Sequence, residues 1–285
     1  MTTRDAAQAR IELAPIGEML ISRRRFLAIP IAAILTPAFL AVREGSSEPR
    51  PRSGTFALDI GLLYGALHFH LEGTVNEIAD WIGGRYEVEI EGKGDGIANH
   101  IRARGIALDG RWAPQEWHSL FSVHGRETRS DIVYDWRQRT VDYHYREETF
   151  LLRRLRVADD RLPIPGPIVL DDAVSAALNY SEGRWRPEPD GSFQTHVVRR
   201  KRPANERPDD TQRAYRGEVA PFVVRVTEDP ASGVRTAVFD LSRFSSWARR
   251  DRPGQVRFAY DRRPDHIAMQ MVLGTSIDVQ FQSNS

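Results

Sequence analysis

Gly54-Thr55-Phe56-Ala57-Leu58-Asp59-Ile60-Gly61-Leu62 carries an apolar side chain at every second position from Phe56, and after Tyr64-Gly65 the alternation resumes at Leu67, Phe69 and Leu71. Successive side chains of a strand point to opposite faces, so this period of two marks strands with one face on a core. The stretch reads as two strands joined by a turn at Tyr64-Gly65. Outward from it, Gly83-Gly84 separates residues 75–82 from a third strand with Tyr86, Val88 and Ile90 inside and Glu87, Glu89 and Glu91 on the wet face.

Similar runs recur at 117–123, 132–136 and 141–145, and again at 193–198, 219–226, 234–241, 256–260, 267–273 and 277–281. Their spacing, broken by Asp190-Gly191, Ser232-Gly233 and Asp261-Arg262-Arg263-Pro264, predicts one extended antiparallel sheet and no alternation of strand and helix. The run 171–180 is the exception. Asp171-Asp172 supplies a capping acid, Val174, Ala177 and Leu178 share a helical face, and Gly183 follows the end, so a short helix is expected. A wide sheet must cover its apolar face, and it can do so by curling or by taking in this helix. The predicted fold is therefore mainly β: a single curved antiparallel sheet or half-open barrel over 54–285, with one short helix.

The amino terminus reads differently. Ser22-Arg23-Arg24-Arg25-Phe26-Leu27 resembles the twin-arginine consensus of bacterial export signals, with alanine at position 28 in place of the usual lysine. An apolar stretch from 29 to 42 follows, interrupted by Pro30 and Pro37 and too short to cross a bilayer as a stable helix. Residues 1–42 are assigned to an export segment with a signal helix, and 43–53 to a linker containing Pro49-Arg50-Pro51-Arg52. The resemblance implies recognition by the twin-arginine translocase, passage in the folded state, and a periplasmic mature domain that does not span the membrane.

Composition narrows the partners. Hydrophobic content of 41% with 28% charged residues fits a chain that folds. The formal charge is +1, and residues 1–42 hold five arginines against three acids, so the remainder carries about −1. A near-neutral body lacks the concentrated positive face that nucleic acid requires. Cysteine is absent, which excludes a disulfide framework and a lipidated cysteine.

The order of elements, with Asp172, Ser175, Ala176 and Tyr180 on the helix, resembles the exported bacterial proteins grouped as domain of unknown function 3108. There an arginine usually follows the helix aromatic closely; here Ser181-Glu182 intervene. The resemblance covers most of 54–281 and implies a curved sheet or open barrel in the periplasm. It adds no catalytic residue.

Candidate sites follow from pattern. Trp117, Trp136, Tyr134, Tyr143 and Tyr145 can line the concave side of a curled sheet and make a pocket for an apolar, lipid-like ligand. His68, His70 and Glu72 share a strand face and offer a possible metal row, although a strand with a polar outer side has the same alternation. The acid pairs, Asp171-Asp172 among them, could serve a hydrolase, but helix capping and loop solvation explain them more simply. Arg199-Arg200-Lys201-Arg202 reads as a solvated strand end, and 202–213 as an exposed polar loop. No nucleophile elbow or phosphate loop is present, and no cofactor is expected. The expectation is a non-enzymatic binding or carrier module of the envelope, set against a hydrolase or metal-dependent enzyme, and against a structural partner binding through a free sheet edge.

Overall fold

A computed structural model describes residues 51–62, 64–149, 152–203, 205–207 and 209–283. The export segment 1–42, with Ser22, Arg23, Arg24, Phe26 and Leu27, and the linker as far as residue 50 lie outside the described residues.

Among the described residues the strands are β1 (Arg52–Leu62), β2 (Leu67–Asp80), β3 (Arg85–Gly94), β4 (Ile97–Leu108), β5 (Arg111–Val123), β6 (Arg126–Asp135), β7 (Thr140–Glu148) and β8 (Leu155–Pro163). After helix α1 (Ala173–Ser181) come β9 (Ser192–Arg200), β10 (Gly217–Glu228), β11 (Arg235–Phe239), β12 (Gly254–Phe258), β13 (Pro264–Gln270) and β14 (Ser276–Ser283). They form one 14-stranded sheet in the order β8-β7-β6-β5-β4-β3-β2-β1-β14-β13-β12-β11-β10-β9. Every neighbouring pair is antiparallel. β1 and β14 pair in the middle of the sheet, so two meanders run outward from them to the edges β8 and β9.

Local chemistry sets the meander. Asp95-Gly96, Asp109-Gly110 and His124-Gly125 each place two residues at positive φ between strands. This is the two-residue hairpin link whose twist matches that of the strands it joins. The sheet then curls until its edges approach. The Gly217 amide at the head of β10 donates to Asp160 Oδ2 on β8 at 2.6 Å, and Arg216 Nη1 donates to Asp160 Oδ1 at 2.8 Å. Glycine is required there, since a Cβ at 217 would stand 2.6 Å from the Tyr143 ring. On the other edge, the connector after β8 pairs in parallel with β9: the Asp171 amide donates to His196 O and the His196 amide to Val169 O, both at 2.9 Å. The result is a nearly closed barrel with inward apolar rows such as Leu58, Leu71, Val88 and Ile101.

Eight strands give a barrel just wide enough for side chains to fill, and 14 leave room inside. Helix α1 occupies part of that room. Asp172 caps it in a reciprocal box, with the Ser175 amide donating to Asp172 Oδ1 at 2.6 Å and the Asp172 amide to Ser175 Oγ at 3.0 Å. Residues 174 to 180 are all buried, as befits a helix surrounded by sheet. Asn179 ties it to β5, accepting from the Trp112 amide at 2.8 Å and donating to the Trp112 carbonyl at 2.9 Å. The chain leaves the helix at Gly183, at φ 68°.

Three expectations change. β4 and β8 are strands that hydrophobic alternation does not announce. The loop 202–213 is not wholly exposed: Glu206 is buried, and the carbonyls of Arg207 and Asp210 accept from Arg156. Nor is Arg199-Arg200-Lys201-Arg202 a solvated end, because Arg200 is buried in a two-pronged pair with Glu206, both bonds 2.7 Å long.

Candidate functional site

The curled sheet encloses a cavity of about 230 Å³. Its walls follow from strand register. Inward positions of β5, β6, β7 and β8 lie in cross-strand rows, beginning with Trp117-Ile132-Tyr143-Asp160. One step further from the helix is Ser119-Ser130-Tyr145-Ala158, and a further step gives Phe121-Thr128-Glu147-Arg156. Across from them, α1 presents Ala173, Ala176 and Ala177, and the second meander presents Phe193, Phe222 and Val224. Small alanines on the helix where the sheet presents aromatics are what leave the space open.

The two ends differ chemically. At the helix end sit Asp171 and Asp172, both buried. Asp171 is held by Arg111 Nη2 at 2.6 Å, Thr195 Oγ1 at 2.6 Å, Ser175 Oγ at 3.1 Å and Asn179 Nδ2 at 3.2 Å. Burial still pushes its pKa up, against the pull of Arg111. Among the described residues no cation pairs with Asp172, and burial raises its pKa to about 7 in spite of the bonds it accepts from Ser175. Two carboxyls with different protonation behaviour can divide acid and base work. Here, however, one is saturated by four donors and the other caps a helix, so both serve the fold.

At the far end, Arg156 Nη1 donates to Glu147 Oε2 at 3.1 Å, and Tyr145 Oη donates to the same oxygen at 2.7 Å. Arg156 Nε donates to the Asp210 carbonyl at 2.9 Å, binding the 202–213 segment across this end. Arg200 stacks over Tyr215, 4.6 Å from the ring centre.

Of the five aromatic residues singled out from the sequence, Trp117, Tyr134, Tyr143 and Tyr145 stand on the cavity wall. Trp136 does not. β6 ends at Asp135, so the alternation no longer directs residue 136. Its ring stacks on Tyr134 at 6.4 Å and its Nε1 donates to Pro114 O at 2.6 Å. Ser119, Thr128 and Ser130 also stand on the wall, where counting in twos from Trp117 and Tyr134 reaches them. Phe193, Phe222 and the helix alanines needed the topology, since nothing local pairs the two meanders.

His68, His70 and Glu72 lie on the outer face of β2. His70 Nδ1 is 2.9 Å from Asp59 Oδ1 and its Nε2 is 3.4 Å from Glu72 Oε1. These bonds raise the His70 pKa and set both ring nitrogens beside carboxylates. His68 Nδ1 lies 4.0 Å from Asp59 Oδ1, its side chain 64% exposed. Among the described residues, the histidine and acid ligand atoms that converge belong to Glu89, Glu91 and His100, on the outside of β3 and β4. They lie at the surface, with His100 Nε2 3.2 Å from Glu89 Oε1 and 3.6 Å from Glu91 Oε1. No helix among the described residues is long and apolar enough to cross a membrane.

No family model matches the chain, and no curated protein matches it. Among solved structures, it is similar to the crystal structure of a beta-barrel-like protein of domain of unknown function DUF1849 from Brucella abortus. That match has a TM-score of 0.41 and 10% sequence identity, over 83% of this chain and 97% of the other.

Proposed function

We propose that the protein is a non-enzymatic binding module that holds an apolar, lipid-like ligand inside its barrel, and that it works in the periplasm after twin-arginine export. The cavity carries this reading. A pocket walled by Trp117, Ile132, Phe193, Phe222 and helix alanines offers dispersion contact and little else over most of its surface. Most of its ionisable groups are committed to the fold, Asp171 with Arg111, Glu147 with Arg156, Arg200 with Glu206, and Asp172 as the helix cap. The likeness of Asp172, Ser175, Ala176 and Tyr180 to the helix of domain of unknown function 3108 agrees with an envelope role and names no ligand.

The test is titration of purified protein with N-phenyl-1-naphthylamine, a neutral dye that fluoresces in apolar surroundings. Saturable binding is expected, with loss of at least tenfold in affinity for Ala177→Phe, which fills the cavity from the helix side. The variant should melt within a few degrees of the parent, because its ring enters space that is empty. Dye binding unchanged in Ala177→Phe would remove the cavity from consideration.

Export has its own test. Arg23→Lys with Arg24→Lys keeps the charge and removes the paired guanidiniums. The double variant is expected to stay in the cytoplasm on fractionation while the parent reaches the periplasm; export at the parent's level overturns the assignment.

A further inference from the structure

Resting on that reading of the cavity, we propose that the ligand is a neutral amphiphile, an acyl or alkyl chain with an uncharged hydroxyl- or ester-bearing head, and that the head lies on Ser119, Ser130 and Thr128. Register places these three side chains together. Ser119 and Ser130 are directly paired across β5 and β6, and Thr128 lies two residues from Ser130 on the same inward face. All three line the cavity. Among the described residues none of their hydroxyls finds a protein partner, and none is sealed away from open space. A hydroxyl that faces the cavity without a protein partner keeps its donor and acceptor for whatever fills that space. Three in one patch, beside the apolar stretch walled by Trp117, Ile132, Phe193 and Phe222, make a place for a molecule with both characters. Asn99 continues the row beside Phe121, buried and with both its amide nitrogen and oxygen unmatched.

The charge on the head follows from what the arginines are doing. An anionic head would need a guanidinium with bonds to spare. Arg156 gives its nitrogens to Glu147 and to the carbonyls of Arg207 and Asp210. Arg200 binds both oxygens of Glu206, and Arg199 is paired with Glu218 at 2.7 Å and with the Arg243 carbonyl, its unmatched Nε sealed away from the open space. The open hydrogen-bonding capacity is hydroxyl, which donates and accepts equally and discriminates against neither role. A glycerol or ester head can use it. A carboxylate would instead lie beside Glu147 with no free cation to offset its desolvation.

The experiment is displacement of N-phenyl-1-naphthylamine by 1-monolauroylglycerol, laurate and dodecane at neutral pH, on the parent and on Ser119→Ala combined with Ser130→Ala. Each neutral hydrogen bond is worth roughly two- to tenfold in affinity. The parent is expected to bind monolauroylglycerol about tenfold tighter than laurate or dodecane. The double variant should lose about five- to tenfold on monolauroylglycerol alone, its dye affinity unchanged. Laurate binding as tightly as monolauroylglycerol, or a double variant with undiminished monolauroylglycerol affinity, overturns the head-group assignment while leaving the cavity reading intact. Failure of the dye to bind the parent at all overturns both.

Discussion

Arg156→Met is expected to lower folding stability by about 3–5 kcal/mol, because it strips the partner from a buried carboxylate and releases a chain segment at once. Arg156 is 1% exposed, and methionine keeps most of the stem's packing, so the loss comes from the guanidinium. Glu147, itself 2% exposed, would keep only Tyr145 as a hydrogen-bond donor among the bonds described. The Arg207 carbonyl would lose the Arg156 bond, and the Asp210 carbonyl would keep only Tyr215 Oη among the bonds described. Denaturant unfolding measures the first effect, as a shift in midpoint at constant slope. Adding Glu147→Gln should recover part of it by removing the stranded charge. Limited proteolysis measures the second, with new cleavage within 202–213. A loss under about 1 kcal/mol would mean that the network contributes nothing to holding this end of the barrel.

That residue also shows where hydrophobic pattern stops being informative. The central strands were legible because their inner faces are oil and their outer faces water: Phe56, Leu58 and Ile60 inside, Glu87, Glu89 and Glu91 outside. β8 has the opposite arrangement. Arg156 and Asp160 point inward to pair with Glu147 and Gly217, while Leu155 and Val157 are 45% and 46% exposed. Alternation is present, but its polarity is reversed by tertiary pairing that no local window contains. β4 fails for another reason. Its inward residues include Asn99, Ala103 and Gly105, small or polar, and a Cβ at 105 would meet the Tyr86 ring at 2.3 Å. A large neighbour fills the place its own side chains leave, so the strand carries little hydrophobic signal. Its turns, Asp95-Gly96 and Asp109-Gly110, were the readable clue.

The cavity was half legible on the same grounds. Tyr134, Tyr143 and Tyr145 sit on strands whose period was clear, so their shared direction could be read. Trp136 lies one residue beyond a strand end, where the period no longer holds. Ala177 is legible as part of the apolar face it shares with Val174 and Leu178, and the role of the α1 alanines in leaving space opposite aromatics appears only once the helix is inside the sheet. Arg200 and Glu206 looked like solvated charges because each is flanked by polar residues; their burial depends on the loop folding back across the barrel end.

Asp172 gives the other large effect, and its sign can be worked out. In the unfolded chain the carboxyl titrates near 3.8, and in the fold near 7, because burial beside Asp171 disfavours its charged form. The native state therefore holds a proton that the unfolded state gives up between these values, so stability falls as pH rises from about 4 to about 7 and levels off above. The full span corresponds to a loss on the order of 4 kcal/mol at most, at 1.36 kcal/mol per pKa unit. Asp172→Asn removes the titration and keeps the cap, since an asparagine oxygen can still accept from the Ser175 amide. The variant should match the parent near pH 4 and exceed it by a few kcal/mol near pH 8. Subtracting the two unfolding profiles isolates this carboxyl from others such as Glu77, whose pKa burial also raises. A difference that stays flat with pH, or a variant less stable at pH 8, would place the charge of Asp172 among the groups the barrel was built to hold.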